Sequence, residues 1–238
     1  MKKEINYLFD VDGTLTPSRL PMNQEFSQFF TNWSRDKEVF FVTGSNSDKT
    51  IEQVGLDIWK NITASLQSCG NQIFIDGKEV YKNEWEPNEK LISLLEYFLM
   101  SSDYRKRTSN HIEERVGLLN FSVVGRDCTQ QERENYYEWD KTAQERVSMV
   151  KEIMEKFTEL EASVGGQISI DIHPKGANKG QAKDWILNHL GKDTSIYFYG
   201  DKTEFGGNDY DLAKVLTEDR HKVFQVSGWE ETYKLLKK

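Results

Sequence analysis

The stretch YLFDVDGTLT, at Tyr7–Thr16, places two aspartates directly behind a run of apolar and aromatic residues. With the two residues before it, this run predicts a short buried strand over 5–10. Asp12 follows Asp10 after one residue, and Gly13 then predicts a turn. Carboxylates are costly at the end of a buried strand, because loss of water disfavours their charged form. The stretch therefore indicates a functional site near the beginning of the chain.

Strands and helices are predicted to alternate on both sides of the middle of the chain. The predicted elements are strands over 5–10, 38–43, 195–199 and 222–226, and helices over 23–33, 48–54 and 179–190, just after Asp209 and at the C-terminal end. Strands that alternate with helices favour a mostly parallel sheet that is covered by helices on both faces. The predicted fold class is therefore α/β.

The middle of the chain shows a different pattern. Its predicted elements are helices over 91–99 and 143–157 and strands over 118–124 and 167–172. Two helices with antiparallel-type strands predict a separate α+β unit that is inserted into the α/β domain. Pro87 and Pro174 lie near the two proposed crossings, where helices and central strands do not tolerate proline. The predicted division is a core over 1–82 and 176–238 and an inserted unit over 83–175.

Composition excludes several classes of protein. The 238 residues carry a net charge of −8, which disfavours nucleic acid or an anionic membrane as the main partner. No apolar run approaches the roughly 18 residues of a membrane span, and the polar start Met1–Glu4 gives no signal-peptide pattern. Cys69 and Cys128 are too few for a disulfide framework and have no metal-ligand spacing. We expect a cytoplasmic protein that binds neither nucleic acid nor membrane.

Four polar signals fall at the carboxyl edge of the predicted parallel sheet, where open sheets bind their ligands. They are Asp10 with Asp12 after the first strand, Thr43 at the end of the second, Lys179 at a helix start, and Gly200-Asp201 after a later strand. Singly, each has an ordinary explanation as a turn, a cap or a solvated lysine, but their joint order favours phosphoryl transfer. One carboxylate can attack phosphorus and a second can protonate the leaving oxygen. Converging carboxylates predict Mg²⁺, and a hydroxyl and a lysine would balance charge on the transferred group.

Four short motifs resemble those of the haloacid-dehalogenase superfamily. They are FDVDGTLT at Phe9–Thr16, VTGS at Val42–Ser45, NKG at Asn178–Gly180 and GDKTEFGGND at Gly200–Asp209. The long spacing within the last motif is similar to that of the eukaryotic-type phosphomannomutases. The inserted unit carries IEERVGLLNFSVVGRDCTQQER at Ile112–Arg133 and GGQISIDIHPKG at Gly165–Gly176, which resemble the cap domain of that family. The resemblance covers nearly the whole chain and implies a Rossmann-like catalytic core with a substrate-binding cap.

The resemblance implies roles for individual residues. Asp10 matches the nucleophile and a metal ligand, Asp12 matches the acid/base that also gives its backbone carbonyl to the metal, and Asp201 matches the third protein ligand. The residues that match the family's substrate contacts are Arg19, Arg115, Arg126, Arg133, Ser169 and Asp171. A hexose 1,6-bisphosphate activator and a homodimer through the cap domains are also implied. Arginines suit this chemistry in any case, because a phosphate far from Asp10 needs bidentate donors.

Three functions stay open on the sequence. The leading hypothesis is a phosphohexomutase that interconverts mannose 6-phosphate and mannose 1-phosphate, a step of GDP-mannose biosynthesis. The second is a sugar-phosphate phosphatase of the same superfamily, in which water takes the phosphoryl group from Asp10. The third is a sugar-phosphate-binding module without activity, which an acid/base residue beside the nucleophile disfavours. The sequence also leaves open whether mannose or glucose is preferred.

Overall fold

The computed structural model describes residues 5–191 and 194–238. The chain divides into two compact units, one formed by Met1–Lys82 with Ala177–Lys238 and the other by Asn83–Gly176. We call the first the core unit and the second the inserted unit. Each unit buries its own clusters of apolar side chains, as expected where one folded segment is inserted into another. The catalytic and substrate-binding roles expected of the two segments stay predictions.

The core unit is built on a seven-stranded sheet. The strands of the described chain are β1 (Ile5–Phe9), β2 (Glu38–Val42), β3 (Ala64–Gln67), β4 (Gln72–Ile75), β5 (Lys78–Lys82), β6 (Ile112–Arg115), β7 (Leu118–Phe121), β8 (Leu160–Gly165), β9 (Ser169–Pro174), β10 (Ser195–Gly200) and β11 (Lys222–Gln225). The core sheet has the order β11-β10-β1-β2-β3-β4-β5. Its first five strands are parallel, and β4 and β5 add an antiparallel edge. The predicted α/β fold with a mostly parallel sheet is confirmed.

Helices cover both faces of the core sheet. The helices of the described chain are α1 (Gln24–Trp33), α2 (Ser47–Val54), α3 (Leu56–Asn61), α4 (Glu89–Ser101), α5 (Gln130–Ala143), α6 (Glu145–Lys156), α7 (Gln181–Leu190), α8 (Tyr210–Glu218) and α9 (Trp229–Leu236). Phe9 of β1 packs on Phe30 of α1, while its neighbour Leu8 joins a cluster with Ile186 of α7 and Leu212 of α8. The end of the strand, Leu8 and Phe9, is apolar on both sides because helices shield both. Among the helices described, none is long and apolar enough to cross a membrane.

The inserted unit combines a four-stranded antiparallel sheet, in the order β6-β7-β9-β8, with α4, α5 and α6. Its core joins Leu95 of α4 and Ile153 of α6 to Ile170 of the sheet. Helix α5 begins with a capping box, in which Thr129 Oγ1 accepts from the Glu132 N–H and the Glu132 carboxylate accepts from the Thr129 N–H. The α+β composition predicted for this part of the chain is confirmed.

The apolar pattern does not predict several of these elements. They are α3, α5, β3, β4, β5, β6 and β8. Helix α5 has two buried residues, Tyr136 and Asp140, so it carries no apolar stripe that could indicate a helix. Strand β5 is exposed at every position, as an edge strand can be. The predicted strand over 118–124 is too long, because β7 ends at Phe121 and the chain then turns.

The parallel register brings three chain segments to one edge of the core sheet. Phe9 of β1 pairs with Phe41 of β2 on one side and with Tyr199 of β10 on the other. The residues that follow these three strands therefore emerge side by side at the carboxyl edge. This edge is where the predicted phosphoryl-transfer residues of the core unit lie.

Candidate active site

Lys179 lies between two buried carboxylates at the carboxyl edge of the core sheet. Its Nζ donates to Asp10 Oδ1 at 2.5 Å and to Asp209 Oδ1 at 2.7 Å. All three side chains are almost completely buried. Burial lowers the pKa of Lys179, but the charges of Asp10 and Asp209 outweigh that effect and raise the pKa above its ordinary value. Lys179 is therefore a permanent cation that holds two carboxylates in fixed positions.

Asp10, Asp201 and Asp209 form a carboxylate cluster that Lys179 and the more exposed Lys202, whose Nζ lies 4.0 Å from Asp201 Oδ2, only partly neutralise. One oxygen of each lies within 4.8 Å of the others. Asp10 Oδ2 and Asp201 Oδ1 are buried atoms without a hydrogen-bond partner among the described residues. Burial raises the pKa of Asp10 to about 7 against the lowering effect of Lys179, and burial also raises the pKa of Asp201. Oxygen donors left in this state fit a hard divalent cation, which would bind them and offset their charge.

Two glycines allow the backbone to pass close to these carboxylates. A Cβ atom on Gly13, whose φ is +83°, would lie 2.5 Å from Asp201 Oδ2. A Cβ atom on Gly200 would lie 2.7 Å from Asp209 Oδ2. Gly13 also has a backbone conformation that side chains disfavour. Gly13 is therefore needed for the turn of the first motif, and also because a side chain there would overlap Asp201, a candidate metal ligand.

The Asp12 carboxyl is held by a separate set of donors. Its Oδ1 accepts from Gln53 Nε2 at 2.8 Å and from the backbone N–H of Arg19 at 2.7 Å. Its Oδ2 accepts from the Ser45 hydroxyl at 3.3 Å. The Asp12 residue is nevertheless partly exposed. A carboxyl that is oriented and reachable can act as a general acid and base, and this role of Asp12 stays a prediction.

Thr43 follows β2 and is anchored on both sides. Its backbone N–H donates to the Leu66 carbonyl at 3.0 Å, and its carbonyl accepts from the Cys69 N–H at 2.8 Å. Its buried Oγ1 accepts from the Ser45 N–H at 3.1 Å, which leaves the hydroxyl proton to be donated elsewhere. The position of Thr43 is thus compatible with the predicted contact to a phosphoryl oxygen.

Arg19 contacts Asp12 of the site through its backbone. The residue is exposed, has a φ of +62°, and donates its N–H to Asp12 Oδ1. Its carbonyl accepts from Lys49 Nζ at 3.4 Å. The predicted contact between the Arg19 guanidinium and a substrate stays a prediction.

In the inserted unit, two of the predicted substrate arginines share one carboxylate. Glu113 of β6 accepts from Arg115 Nε and Nη2, each at 3.0 Å, and from Arg126 Nε at 2.9 Å. Arg126 Nη1 donates to the Ser169 hydroxyl at 2.9 Å. Burial lowers the pKa of Arg126, and the nearby guanidinium groups of Arg115 and Arg133 add to this effect. Three guanidinium groups near the two carboxylates of Glu113 and Asp171 leave positive charge that favours the binding of a dianion.

Asp171 lies two residues after Ser169 on β9, so both side chains are on the same face of the inserted sheet. Asp171 Oδ1 accepts from Asn120 Nδ2 at 2.5 Å, across the paired strands β7 and β9. A side chain on Gly165 would overlap Asp171 Oδ2, so this glycine leaves the space that the carboxylate occupies. The inserted unit therefore presents fixed polar groups beside its arginines.

The predicted residues other than Arg19 thus form two groups, one in each unit. The core group is Asp10, Asp12, Thr43, Lys179 and Asp201, and the other is Arg115, Arg126, Arg133, Ser169 and Asp171. Asp209 was not in the predicted site, although it ends the GDKTEFGGND motif, and this place in the motif was the available signal. Gln53 belongs to no motif, and only the fold brings it to Asp12.

The similarity of this chain to known proteins extends over both units. The family profile described as eukaryotic phosphomannomutase matches residues 26–238. The chain is 33% identical over 245 aligned residues to a phosphomannomutase of Saccharomyces cerevisiae, with 99% of this chain and 94% of the yeast protein covered. It is 36% identical to phosphomannomutase 1 of Dictyostelium discoideum, with 87% of this chain and 85% of that protein covered.

The fold is also similar to that of solved structures. A haloacid dehalogenase-like hydrolase from Bacteroides thetaiotaomicron superimposes with a TM-score of 0.63 at 11% identity, with 99% of both chains covered. An identity this low supports a statement about the fold alone. The predicted Rossmann-like core with an inserted α+β unit agrees with this shared fold.

Proposed function

The chain belongs to the eukaryotic phosphomannomutase family, and from this premise we propose that it interconverts mannose 6-phosphate and mannose 1-phosphate. One observation carries the choice of a mutase over a hydrolase. In the inserted unit, Arg115 and Arg126 share the Glu113 carboxylate, and the positive charges of Arg115 and Arg133 both act on Arg126. A phosphatase needs to recognise only the phosphate that it removes, whereas a mutase must bind both phosphates of a bisphosphate.

Asp10 is the nucleophile of the proposed reaction. A carboxylate oxygen attacks the phosphorus of a hexose 1,6-bisphosphate, and the bond between that phosphorus and the sugar oxygen breaks. Lys179 donates to Oδ1 of this carboxylate and so holds the Asp10 side chain in a fixed position. The step leaves an aspartyl phosphate and a hexose monophosphate.

Asp12 moves the proton in this scheme. It gives a proton to the leaving sugar oxygen and later takes one from the sugar hydroxyl that attacks the aspartyl phosphate. When the two transfers involve different ends of the sugar, the phosphate has changed position and the bisphosphate is regenerated. The Thr43 hydroxyl and the Lys179 ammonium are the proposed donors that balance negative charge on the transferred group.

Mg²⁺ is the ion that we assign to the carboxylate cluster. Asp10, Asp201 and Asp209 offer side-chain oxygens, and the backbone carbonyl of Asp12 is a further predicted ligand. When bound, such an ion offsets the negative charge of the phosphoryl group that is being transferred. The unpartnered oxygens of Asp10 and Asp201 support the assignment, because buried carboxylate oxygens normally have partners.

Mg²⁺ should raise the midpoint temperature of thermal unfolding of metal-stripped protein. At a free concentration a hundred times its Kd, an ion that binds only the folded state adds about 2.7 kcal/mol to the free energy of unfolding. For a chain of this size, that corresponds to a rise of about 5–10 °C in the midpoint temperature. Asp201→Asn removes one charged ligand and should abolish most of the rise. Asp57→Asn, at an exposed aspartate in the first turn of α3, is the matched control and should keep it. An equal rise in the wild type and Asp201→Asn would exclude this site.

The inserted unit supplies substrate recognition in this proposal. Arg115, Arg126 and Arg133 bind the phosphate that is not being transferred, and Ser169 and Asp171 contact sugar hydroxyls. The bond from Arg126 to the Ser169 hydroxyl supports this division, because one side chain then links the phosphate donors to the sugar contacts. Arg19 is the proposed further contact from the core unit.

Further proposals follow from family membership. We assign the protein to the cytoplasm, to GDP-mannose biosynthesis, and to a homodimer that forms through the inserted units. Exposed apolar side chains on two helices of that unit support the dimer: Tyr97 and Met100 of α4 are 55% and 76% exposed, and Val147 and Met154 of α6 are 50% and 46% exposed.

Phosphorus NMR tests the proposed function. Mannose 1-phosphate is incubated with the protein and Mg²⁺, with and without glucose 1,6-bisphosphate. We expect mannose 6-phosphate as the main product when the bisphosphate is present, because the bisphosphate phosphorylates Asp10. Inorganic phosphate as the sole product under both conditions would establish a phosphatase instead. The absence of both products would point to a binding module.

A further inference from the structure

The acid/base candidate Asp12 is held at both carboxyl oxygens. Its Oδ2 accepts from the Ser45 hydroxyl, and its Oδ1 accepts from a backbone N–H and from the side chain of Gln53. The bond from Gln53 Nε2 is 2.8 Å long, and Gln53 is 2% exposed. A buried amide is thus in direct contact with the carboxyl group that moves the proton.

Gln53 lies in the last turn of α2 and connects that helix to the loop of the first motif. Its Nε2 also donates to Thr16 Oγ1 at 3.1 Å, and its backbone carbonyl accepts from the Met22 N–H at 2.7 Å. Contacts of this kind alone would be explained by a structural role. A structural role does not explain the other end of the amide, because Gln53 Oε1 is buried and has no hydrogen-bond partner among the described residues.

An unpartnered buried carbonyl costs stability that an apolar side chain of similar length would not cost. A residue that served only to pack α2 against the loop would therefore be better as methionine or leucine. What the amide offers instead is an N–H donor at a defined place beside Asp12 Oδ1. Proton transfer depends on such placement, because the donor and acceptor must be in line and within hydrogen-bond reach.

We propose that Gln53 is a positioning residue for proton transfer by Asp12. The inference rests on the proposed function, in which Asp12 protonates the leaving sugar oxygen. The Gln53 amide fixes Oδ1 of the Asp12 carboxyl, so that Oδ2 faces the sugar oxygen. Gln53 itself touches neither the substrate nor the phosphorus in this account.

Two leaving groups distinguish positioning of Asp12 from a general structural role. A sugar oxygen needs a proton to leave, whereas the nitrophenolate of para-nitrophenyl phosphate leaves without one. Gln53→Met should slow phosphorylation of the protein by hexose 1,6-bisphosphate about 10²-fold in a single-turnover measurement. The bisphosphate concentration that gives half the maximal rate should change little. The burst of nitrophenolate, which reports phosphorylation by the second substrate, should change by less than about twofold.

A double-mutant cycle provides the second readout. If Gln53 acts through Asp12, adding Gln53→Met to Asp12→Asn should cause no further loss with the bisphosphate. Gln53→Glu keeps the shape of the side chain but places a like charge beside Asp12, and it should be slower than Gln53→Met with the same dependence on the leaving group. Gln67→Met is the matched control, because Gln67 is buried and bonds Thr50 of the same helix. It should affect both substrates equally.

Equal losses with both leaving groups, or a full additional loss in the Asp12→Asn background, would overturn the inference and leave Gln53 a structural residue. Full activity of both Gln53 variants with the bisphosphate would overturn it as well. A failure of the proposed function looks different. In that case Asp12→Asn itself would show no loss that depends on the leaving group, and the inference would fall with it.

Discussion

Asp10→Asn should abolish both isomerisation and phosphate release. An amide is a poor nucleophile and a weaker metal ligand than a carboxylate, and the variant leaves Lys179 with one carboxylate instead of two. We expect turnover below detection with mannose 1-phosphate, with hexose 1,6-bisphosphate and with para-nitrophenyl phosphate. The same NMR assay and a nitrophenolate assay measure the loss.

A loss of folding has to be separated from this loss of chemistry. Circular dichroism and thermal unfolding of Asp10→Asn should show a cooperative folded protein. Asp57→Asn, which changes an exposed aspartate of the core unit, should retain wild-type rates. Substantial activity in folded Asp10→Asn would show that another group attacks phosphorus.

Arg126→Ala should have the second largest effect. Arg126 bonds both Glu113 and the Ser169 hydroxyl and its side chain is 20% exposed, so its removal deletes a proposed phosphate donor and releases a proposed sugar contact. By analogy with desolvated charge pairs, the loss in kcat/KM for isomerisation should correspond to about 2–5 kcal/mol. The ratio of isomerisation to hydrolysis should also fall, because remote binding energy helps the sugar hydroxyl to outcompete water.

Two controls accompany this variant. Para-nitrophenyl phosphate has no second phosphate, so Arg126→Ala and the wild type should hydrolyse it at nearly equal rates. Arg105→Ala, at an exposed arginine of the same unit, should leave isomerisation unchanged. If Arg126→Ala lowered hydrolysis of para-nitrophenyl phosphate as much as isomerisation, Arg126 would not act through a second phosphate.

The sequence predicts those parts of the site that lie at strand ends. Asp10 and Asp201 each follow an apolar strand, and parallel pairing of these strands places them together. Asp209 lies eight positions after Asp201, and whether its carboxylate turns back towards Lys179 depends on the path of a loop that has no periodicity. Gln53 and Asn120 are further cases, because each meets its carboxylate partner only through tertiary contacts.

The same contrast holds for the fold. Strand β1 is predicted correctly because its last residues, Tyr7–Phe9, form an apolar and aromatic run that helices cover on both faces, although Asn6 is polar and buried. Helix α5 is not predicted, because a capping box and a few buried residues stabilise an otherwise polar helix. Strand β3, with the sequence ASLQ, is completely buried although half of its residues are polar. Buried polar residues of this kind depend on partners that come from elsewhere in the chain, such as the bond between Gln67 and Thr50.

We propose that the phosphoryl group passes through Asp10. The most direct measurement mixes wild-type protein with hexose 1,6-bisphosphate and Mg²⁺, quenches the reaction in acid within one turnover, and locates added phosphate in the peptides by mass spectrometry. We predict phosphate on the peptide that contains Asp10, and its disappearance when mannose 1-phosphate is added before the quench, at a rate no slower than isomerisation. Isomerisation without phosphate on Asp10, or phosphate on Asp10 that mannose 1-phosphate does not remove, would contradict the claim.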